Sequence, residues 1–167
     1  MIYFIADTHF NHTNIIKYCN RPFKNTYEMN EYIIRRWNSV VKETDTVYHL
    51  GDVGFGKFEE LKTLVGSLNG RKMLLRGNHD FKIGVNTWKE IGFLEVYKKK
   101  ILLGNLLLTH VPTEEVEENQ INVFGHIHDK PLDRKFDKKN HICVSCDVVD
   151  YTPVSIELVN KNYNNER

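Results

Sequence analysis

The chain has 167 residues, of which 41% are hydrophobic and 27% are charged, and its formal net charge is +1. These values are typical of one soluble globular domain, and they give no reason to expect nucleic acid or a membrane as an obligatory partner. The N terminus reaches Asp7 too early for a signal peptide, and no apolar run approaches the ~20 residues of a membrane-spanning helix, so we expect a cytoplasmic protein that binds no membrane.

The first half of the sequence predicts strands that alternate with helices. The predicted strands are short apolar runs, at positions 2–6, 46–50 and 72–76. The predicted helices have apolar residues at helical spacing, at positions 26–43, 58–70 and 85–93. In the first helix, Met29, Ile33 and Trp37 fall on one stripe. We expect Thr26 to be the N-cap of that helix and Gly70 to end the second helix.

The second half of the sequence is richer in predicted strands. A hairpin is predicted over residues 93–110, with its turn at Gly104 and Asn105. Further strands are predicted at positions 121–125, 141–149 and 153–159. Alternation along residues 141–149 would point Cys143 and Cys146 to opposite faces. We therefore expect reduced thiols, Cys19 included, rather than a metal-binding or redox pair.

The order of elements, βαβαβα followed by a β-rich half, predicts an α/β fold with helices packed over two sheets. The sequence contains no linker rich in proline or glycine between the two halves. We therefore predict a single domain over residues 1–159 and a polar C-terminal tail at residues 160–167.

Side chains that bind metals or move protons follow most of the predicted strands directly. They are Asp7, His9, Asp52, Asn78, His79, Asp80, His110, His126 and His128. In open α/β sheets, active sites are built at the carboxyl ends of the strands, so we expect these side chains to converge. Aspartate and imidazole together suit borderline divalent ions, and a bridging carboxylate would reduce the repulsion between two such ions. The sequence therefore predicts a two-metal centre.

These residues form an ordered series of motifs over residues 5–128. The motifs are DxH (Asp7, His9), GD (Gly51, Asp52), GNHD (Gly77 to Asp80), a strand-end His110 and GHxH (Gly125, His126, His128). The series resembles the calcineurin-like metallophosphoesterase family, and residues 7–23 resemble a small prokaryotic or phage-type branch of it. The resemblance implies a four-layer α/β/β/α sandwich of two mixed sheets flanked by helices.

The resemblance also implies the ligands of two divalent ions, with manganese favoured over iron, zinc, nickel or cobalt. One ion would be held by Asp7, His9, Asp52 and His128. The other would be held by Asp52, Asn78, His110 and His126, so that Asp52 bridges the two ions. A hydroxide between the metals would attack phosphorus, and His79 would protonate the departing alkoxide. Asp80 is expected to orient a ligand or to hold the loop.

Four further residues are candidates for contacts with the substrate phosphate. Asn11 and His12 follow the first motif closely, although the alternative is that residues 11–13 cap the next helix. Arg21 and Arg76 are candidates because a guanidinium group can donate two parallel hydrogen bonds to one phosphate group. Arg76 could instead pair with a neighbouring carboxylate. His49 is expected to be a core histidine or a support for a ligand.

The segment after the GD motif departs from one branch of the family. In protein serine/threonine phosphatases the motif continues to a further aspartate and an arginine, whereas Phe55 and Gly56 occupy those places here. We therefore do not expect a protein phosphatase. The chain also has little room for a separate cap domain, and an open cleft favours phosphodiesters or nucleotides.

We predict a metal-dependent phosphoesterase, and more specifically a phosphodiesterase that acts on nucleotide or nucleic-acid-like substrates. One alternative is a phosphomonoesterase of small phosphorylated metabolites or nucleotides. Another is a non-catalytic scaffold with the same fold, which the presence of His79 and of every expected metal ligand argues against.

Overall fold

The computed structural model describes the backbone of residues 1–165 and the side chains of residues 1–161. The elements in chain order are β1 (Ile2–Ile5), α1 (Thr13–Tyr18), α2 (Thr26–Val40), β2 (Thr46–His49), α3 (Phe58–Gly66), β3 (Arg71–Leu75), a 3-10 helix (Asp80–Lys82), α4 (Val85–Ile91), β4 (Glu95–Tyr97), β5 (Ile101–Leu103), β6 (Leu106–Leu108), β7 (Ile121–Phe124), β8 (His141–Cys143), β9 (Val154–Ser155) and α5 (Ile156–Asn165). The predicted fold class is confirmed, because two mixed sheets are flanked by helices. None of the described helices combines the length and the apolar character that crossing a membrane requires.

The first sheet has five strands in the order β4-β3-β2-β1-β9. Strands β1 to β4 are parallel to their neighbours, and β9 adds an antiparallel edge beside β1. Side chains alternate across the sheet, so that Ile5 and Leu74 belong to the core with helices α1 to α4, whereas Phe4 and Leu75 belong to the core with the second sheet. Because parallel strands end at the same edge, the loops after β1, β2 and β3 lie side by side.

The second sheet has four strands in the order β5-β6-β7-β8. Strands β5 and β6 form the predicted hairpin around Gly104 and Asn105, and β6, β7 and β8 are parallel. The sheets meet where the Ala6 N–H donates to the carbonyl of Val144 and the Cys146 N–H donates to the carbonyl of Ala6, both at 2.9 Å. The ends of β6, β7 and β8 are therefore brought to the end of β1.

Two apolar cores hold these layers together. One core packs the first sheet against α1 to α4 and includes the fully buried Trp37 and Trp88. The other lies between the two sheets and includes Leu108 and Val123. Val159 of α5 also belongs to this second core, and α5 contacts β9 and β1. Full burial of a large apolar side chain contributes about 1.5–3 kcal/mol, so these cores give the loops at the sheet edge a rigid base.

The structure corrects several boundaries in the first half. Helix α2 is capped by Asn25, whose side chain accepts a hydrogen bond from the Glu28 N–H at 2.9 Å, so the prediction of Thr26 as the cap is wrong. Helix α3 ends at Gly66, and Gly70, with φ +88°, lies in the turn before β3.

The predicted hairpin over residues 93–110 is divided between the two sheets. Glu95–Tyr97 is β4 and extends the first sheet beside β3. Only Ile101–Leu103 pairs with β6.

The predicted strands at residues 141–149 and 153–159 are both shorter than expected. Pairing of β8 ends at Cys143, so strand alternation does not extend to Cys146, although all three cysteines are free. After β9, the Ser155 hydroxyl accepts a hydrogen bond from the Leu158 N–H at 3.2 Å and thereby caps α5. Within the predicted tail, residues 160–165 continue α5, and residues 166 and 167 lie outside the described part of the chain.

Candidate metal centre

Six of the predicted metal ligands form two compact groups at the edge where the two sheets meet. One group is Asp7, His9 and His128, and the other is Asp52, His110 and His126. Within each group the potential ligand atoms lie within 4.8 Å of one another. The structure therefore brings together side chains that are separated by up to about 120 residues in the sequence.

Asp7 follows β1 and presents one carboxylate oxygen that has no protein partner. Its Oδ2 accepts hydrogen bonds from the His126 N–H at 2.8 Å and from the Ser145 hydroxyl at 2.5 Å. Its Oδ1 is buried and makes no hydrogen bond. An unpaired buried carboxylate oxygen is costly, and a bound cation would satisfy it.

Like Asp7, His9 has a buried side-chain atom without a hydrogen-bond partner. Its Nδ1 lies 3.3 Å from Nδ1 of His12, whereas its Nε2 is buried without a hydrogen-bond partner. Burial lowers the pKa of His9 to about 2, so the imidazole is neutral and can offer a lone pair. Neutral imidazole and carboxylate are donors that borderline divalent ions accept, so the residues present fit a divalent metal ion.

Asp52 follows β2 and lies between the two groups. Its Oδ2 is 3.7 Å from Nε2 of His9 and 3.5 Å from Nε2 of His110. Its Oδ1 accepts a hydrogen bond from the backbone N–H of His79 at 3.0 Å. One carboxylate therefore faces a histidine from each group, which is the arrangement that a bridging ligand requires.

The second group is completed by Asn78. Nδ1 of His110 lies 2.7 Å from the carbonyl oxygen of Leu50, and it must be the donor because a carbonyl only accepts. In the neutral ring, the form that binds a metal, this hydrogen bond places the lone pair on Nε2 of His110, which lies 3.0 Å from Oδ1 of Asn78. Nδ1 of His126 lies 3.1 Å from the same oxygen. Three donor atoms of the predicted second ion therefore converge on one point.

The backbone of the site is strained, and the strain is concentrated at the ligands. Among the described residues, nine that are not glycine have positive φ, and five of these are predicted metal ligands: Asp7, His9, Asp52, His126 and His128. Such conformations cost of order 1–3 kcal/mol each and persist where the surrounding structure imposes them. Two glycines permit the close packing, since a Cβ on Gly51 would lie 2.3 Å from the Gly77 nitrogen and a Cβ on Gly77 would lie 2.3 Å from Oδ1 of Asp52.

An open cleft of about 480 Å³ lies over the two groups. Its lining residues are His9, His12, Asn14, Ile15, Tyr18, Cys19, Asp52, Asn78, His79, His126, His128 and Lys130. His79 stands at the mouth of this cleft, with its side chain 39% exposed and its Nε2 3.9 Å from Oδ2 of Asp52. The ring of Phe55 lies 5.3 Å from the His79 ring and 4.4 Å from the His12 ring. The accessible His79 imidazole therefore lies beside Phe55, which lines the groove next to the cleft.

Asp80 is placed away from the cleft, as a connector between two loops. It is buried, its Oδ2 accepts from the N–H groups of Asp52 and Gly77 at 2.7 and 2.8 Å, and its Oδ1 accepts from that of Val53 at 3.0 Å. Burial raises the pKa of Asp80 to about 6, although the three backbone donors favour its charged form. Of the two predicted roles, this geometry favours holding the loop.

Asp80→Asn should destabilise the metal-free protein by about 2–3 kcal/mol, because an amide offers one acceptor oxygen in place of two and leaves a buried N–H unpaired. Urea unfolding would measure the change. Asp137→Asn is the matched control, since Asp137 accepts a backbone N–H, that of Lys139, in an exposed loop. It should cost less than about 0.5 kcal/mol. Equal losses in the two variants would contradict the connecting role of Asp80.

The two arginines predicted to bind phosphate do not line the cleft. The Arg21 side chain is fully buried, and its Nε and Nη2 donate to Asp147 at 2.8 and 3.0 Å. Arg76 is also largely buried, with its guanidinium group 4.2 Å from the centre of the Phe81 ring. These placements do not support the predicted phosphate contacts, because Arg21 is paired with Asp147 and neither arginine is among the residues that line the cleft.

The other two candidates for substrate contact lie near the cleft. His12 lines it, whereas Asn11 faces a neighbouring groove and accepts a hydrogen bond from the Asn30 amide at 2.7 Å. The alternative for residues 11–13 agrees with the structure in position, since His12 is the N-cap of α1, but the His12 side chain makes no capping hydrogen bond. His49 is buried, and its Nε2 lies 2.9 Å from the Thr8 hydroxyl, as expected for a core histidine.

Sequence reasoning missed two residues that support the first group of ligands. Ser145 donates to Asp7, and Oδ2 of Asp147 lies 2.7 Å from Nδ1 of His128. Both belong to the stretch SCD that follows β8. The signal was present, because polar residues directly after a strand marked every other part of the site. Predicting one continuous strand over residues 141–149 concealed it.

Comparison with known proteins gives findings on the chain as a whole. The profile of the family described as calcineurin-like phosphoesterase matches residues 1–163. The protein MJ1445 of Methanocaldococcus jannaschii is 41% identical over 167 residues, which cover 96% of this chain and 89% of that protein. A structure of the protein AQ665 of Aquifex aeolicus, whose function is unknown, is similar with a TM-score of 0.75 and 29% identity over 96% of this chain and 98% of that one. The nuclease MPE of Pseudomonas putida is similar in fold, with a TM-score of 0.54 and 20% identity over 76% of this chain and 61% of that one.

Proposed function

This chain belongs to the calcineurin-like phosphoesterase family and is a metal-dependent phosphoesterase, and from this premise we propose that it is a phosphodiesterase with a two-metal centre that acts on nucleotide or nucleic-acid-like substrates. The observation that best supports the metal centre is that two potential ligand atoms, Oδ1 of Asp7 and Nε2 of His9, are buried and make no hydrogen bond. They lie beside a second set of converging donors that shares Asp52.

The proposed ligands follow the two groups. Asp7, His9, Asp52 and His128 would hold one ion, and Asp52, Asn78, His110 and His126 would hold the other. We favour manganese, since a mixed set of oxygen and nitrogen donors accepts it, and iron, zinc, nickel and cobalt would also fit. When bound, such ions lower the pKa of water and neutralise charge on the phosphate oxygens.

His79 is the proposed general acid. Its backbone N–H is fixed by Oδ1 of Asp52, while its side chain is exposed to the cleft. The imidazole can therefore reach the substrate without being one of the converging donors. In this position it can donate a proton to the leaving alkoxide oxygen, a role that contributes typically about 10²–10⁴-fold to the rate.

The charge of the cleft favours a diester over a monoester. A phosphate diester carries one negative charge, whereas a monoester carries nearly two at neutral pH and is commonly held by an arginine fork. Among the described residues that line the cleft, Lys130 alone has a permanent positive charge, because Arg21 and Arg76 do not line it. A substrate with the smaller charge therefore suits this surface better.

Aromatic side chains support a nucleotide as the substrate class. Tyr18 lines the cleft and is 72% exposed, and the Phe55 ring, which lines the neighbouring groove, lies 4.4 Å from the ring of His12 in the cleft. Stacking of a base on an aromatic side chain contributes about 1–3 kcal/mol and tolerates any base. The Pseudomonas putida protein of similar fold is described as a nuclease. At 20% identity this similarity establishes the fold alone, so the description applies to that protein.

The proposal predicts that, with Mn²⁺, kcat/KM is at least about tenfold higher for diesters than for the matching monoesters, because Lys130 is the only permanently positive side chain among the described lining residues that could add to the metal ions in binding the second charge of a monoester. The matched pairs are bis-p-nitrophenyl phosphate with p-nitrophenyl phosphate, and a dinucleoside monophosphate with the mononucleotide. Chelation with EDTA should abolish both activities, and Mn²⁺ should restore them. Faster monoester hydrolysis would identify a phosphomonoesterase instead, and no hydrolysis of any ester with both ions bound would favour the scaffold.

A further inference from the structure

We propose that Asp147 is a positioning residue for one of the two metal ions, because it holds His128 with Nδ1 protonated and Nε2 free to bind the ion that Asp7 and His9 share. The inference rests on the two-metal centre of the proposed function and concerns a residue outside the ligand set. Asp147 follows β8. It belongs neither to the series of motifs nor to the residues that follow the predicted strands.

The hydrogen bond between His128 and Asp147 determines which ring nitrogen is available. Nδ1 of His128 lies 2.7 Å from Oδ2 of Asp147. An ionised carboxylate accepts and never donates, so Nδ1 must carry a proton, and in the neutral imidazole that binds a metal the lone pair then lies on Nε2. The His128 ring also stacks on the His9 ring, with centroids 5.2 Å apart and an interplanar angle of 25°. A carboxylate behind a histidine is the usual way in which proteins fix the orientation of a metal ligand.

Asp147 is itself fixed by Arg21. The guanidinium group donates from Nε to Oδ1 at 2.8 Å and from Nη2 to Oδ2 at 3.0 Å, and both side chains are almost completely buried. Arg21 also donates to the backbone carbonyls of Asp7 and Thr8, at 2.7 and 2.9 Å. The network therefore joins the loop of one ligand, Asp7, to the side chain of another, His128. A bidentate salt bridge of this kind restricts rotation of the Asp147 carboxylate.

A third metal ion is the competing explanation for these residues. Cys19, His128 and Asp147 form a further group of potential ligand atoms within 4.8 Å. However, both oxygens of Asp147 already accept hydrogen bonds from Arg21, and Oδ2 also accepts from His128. Nδ1 of His128 carries a proton in that arrangement and cannot bind an ion. The geometry therefore describes a hydrogen-bond network that supports the neighbouring metal site.

The wild-type protein provides a first test that requires no substitution. In the metal-free protein, ¹⁵N NMR of the histidine rings should show His128 as the Nδ1–H tautomer, with a strongly downfield proton, and added Zn²⁺ should shift Nε2 rather than Nδ1. An Nε2–H tautomer, or a shift on Nδ1 after metal addition, would overturn the proposal.

Asp147→Asn provides the second test, in titrations of the metal-free protein with Mn²⁺ by calorimetry. The affinity for one of the two ions should fall by about 10–100-fold and the other should be unchanged, because only one site uses His128. Asp150→Asn is the matched control, since Asp150 also pairs with an arginine, Arg36 at 2.7 Å, but at the surface and without touching a ligand. It should bind both ions as the wild type does.

The outcomes separate the proposal from its rivals. Unchanged affinity for both ions in Asp147→Asn, or an equal loss of both, would overturn the positioning role. A third ion in the wild type that disappears in Cys19→Ser would also overturn it. If both ions bind as proposed and no phosphate diester is hydrolysed, the proposed function fails while this inference stands.

Discussion

His79→Ala should lower kcat for a dinucleoside monophosphate by about 10²–10⁴-fold and leave the content of bound metal unchanged. The imidazole is 39% exposed at the mouth of the cleft, and its Nε2 lies 3.9 Å from Oδ2 of the proposed bridging carboxylate, Asp52. Loss of this side chain removes a proton donor without removing a metal ligand. Steady-state kinetics and elemental analysis of the same preparation would measure the two quantities.

The leaving group provides the internal control for this prediction. A nitrophenolate departs without much help from an acid, so His79→Ala should reduce hydrolysis of bis-p-nitrophenyl phosphate far less than hydrolysis of a nucleoside ester. An equal loss on both substrates would show that His79 binds the substrate phosphate and does not protonate the leaving oxygen. Intact turnover on both would remove His79 from the mechanism altogether.

The position of the site could be predicted from the sequence because its residues stand where strands end. Asp7, Asp52 and Asn78 each follow one of three neighbouring parallel strands of the first sheet, and His110 and His126 follow two parallel strands of the second. Parallel strands bring their carboxyl ends to one edge, so order along the chain predicts proximity in space. The spacing within each motif is then a consequence of the tight turns that leave each strand.

The supports of the site were less predictable because they depend on contacts between distant segments. Arg21 matches a phosphate clamp in chemistry alone, and only the fold shows that its partner is Asp147, 126 positions further along the chain. Asp80 belongs to a predicted motif, but its three backbone donors come from loops that must first be brought together. Residue type predicts what a side chain can bind, and the packing decides which of the possible partners is near.

Local hydrogen bonds explain the errors in the secondary structure. The sequence after Ser155 is apolar enough for a strand, yet the serine hydroxyl caps a helix by accepting the Leu158 N–H. In the same way, Asn25 competes with Thr26 as the cap of α2 and accepts the Glu28 N–H. Hydrophobic patterns do not show which of two neighbouring polar residues caps a helix, so they predict neither the start of α2 nor the helix that follows Ser155.

Asp52→Asn should weaken both metal ions together, by at least about 100-fold each. A full charge at about 4 Å from a cation contributes about 4 kcal/mol at an effective dielectric constant near 20, and about 1.4 kcal/mol corresponds to a tenfold change in affinity. The substitution removes that charge from a carboxylate that faces a histidine of each group, His9 at 3.7 Å and His110 at 3.5 Å. Calorimetric titration with Mn²⁺ would measure both affinities, and phosphodiester turnover should fall with them.

The folded structure should tolerate this substitution, so that a loss of metal can be assigned to the missing charge. Asparagine adopts the left-handed conformation that position 52 requires, with φ of 58°, and its carbonyl oxygen can still accept the His79 N–H. Asp150→Asn is again the matched control, because Asp150 has a φ of 46° and is exposed. If Asp52→Asn lost one ion and kept the other at full affinity, the carboxylate would be a ligand of a single metal and the bridge between the two groups would have to be another atom.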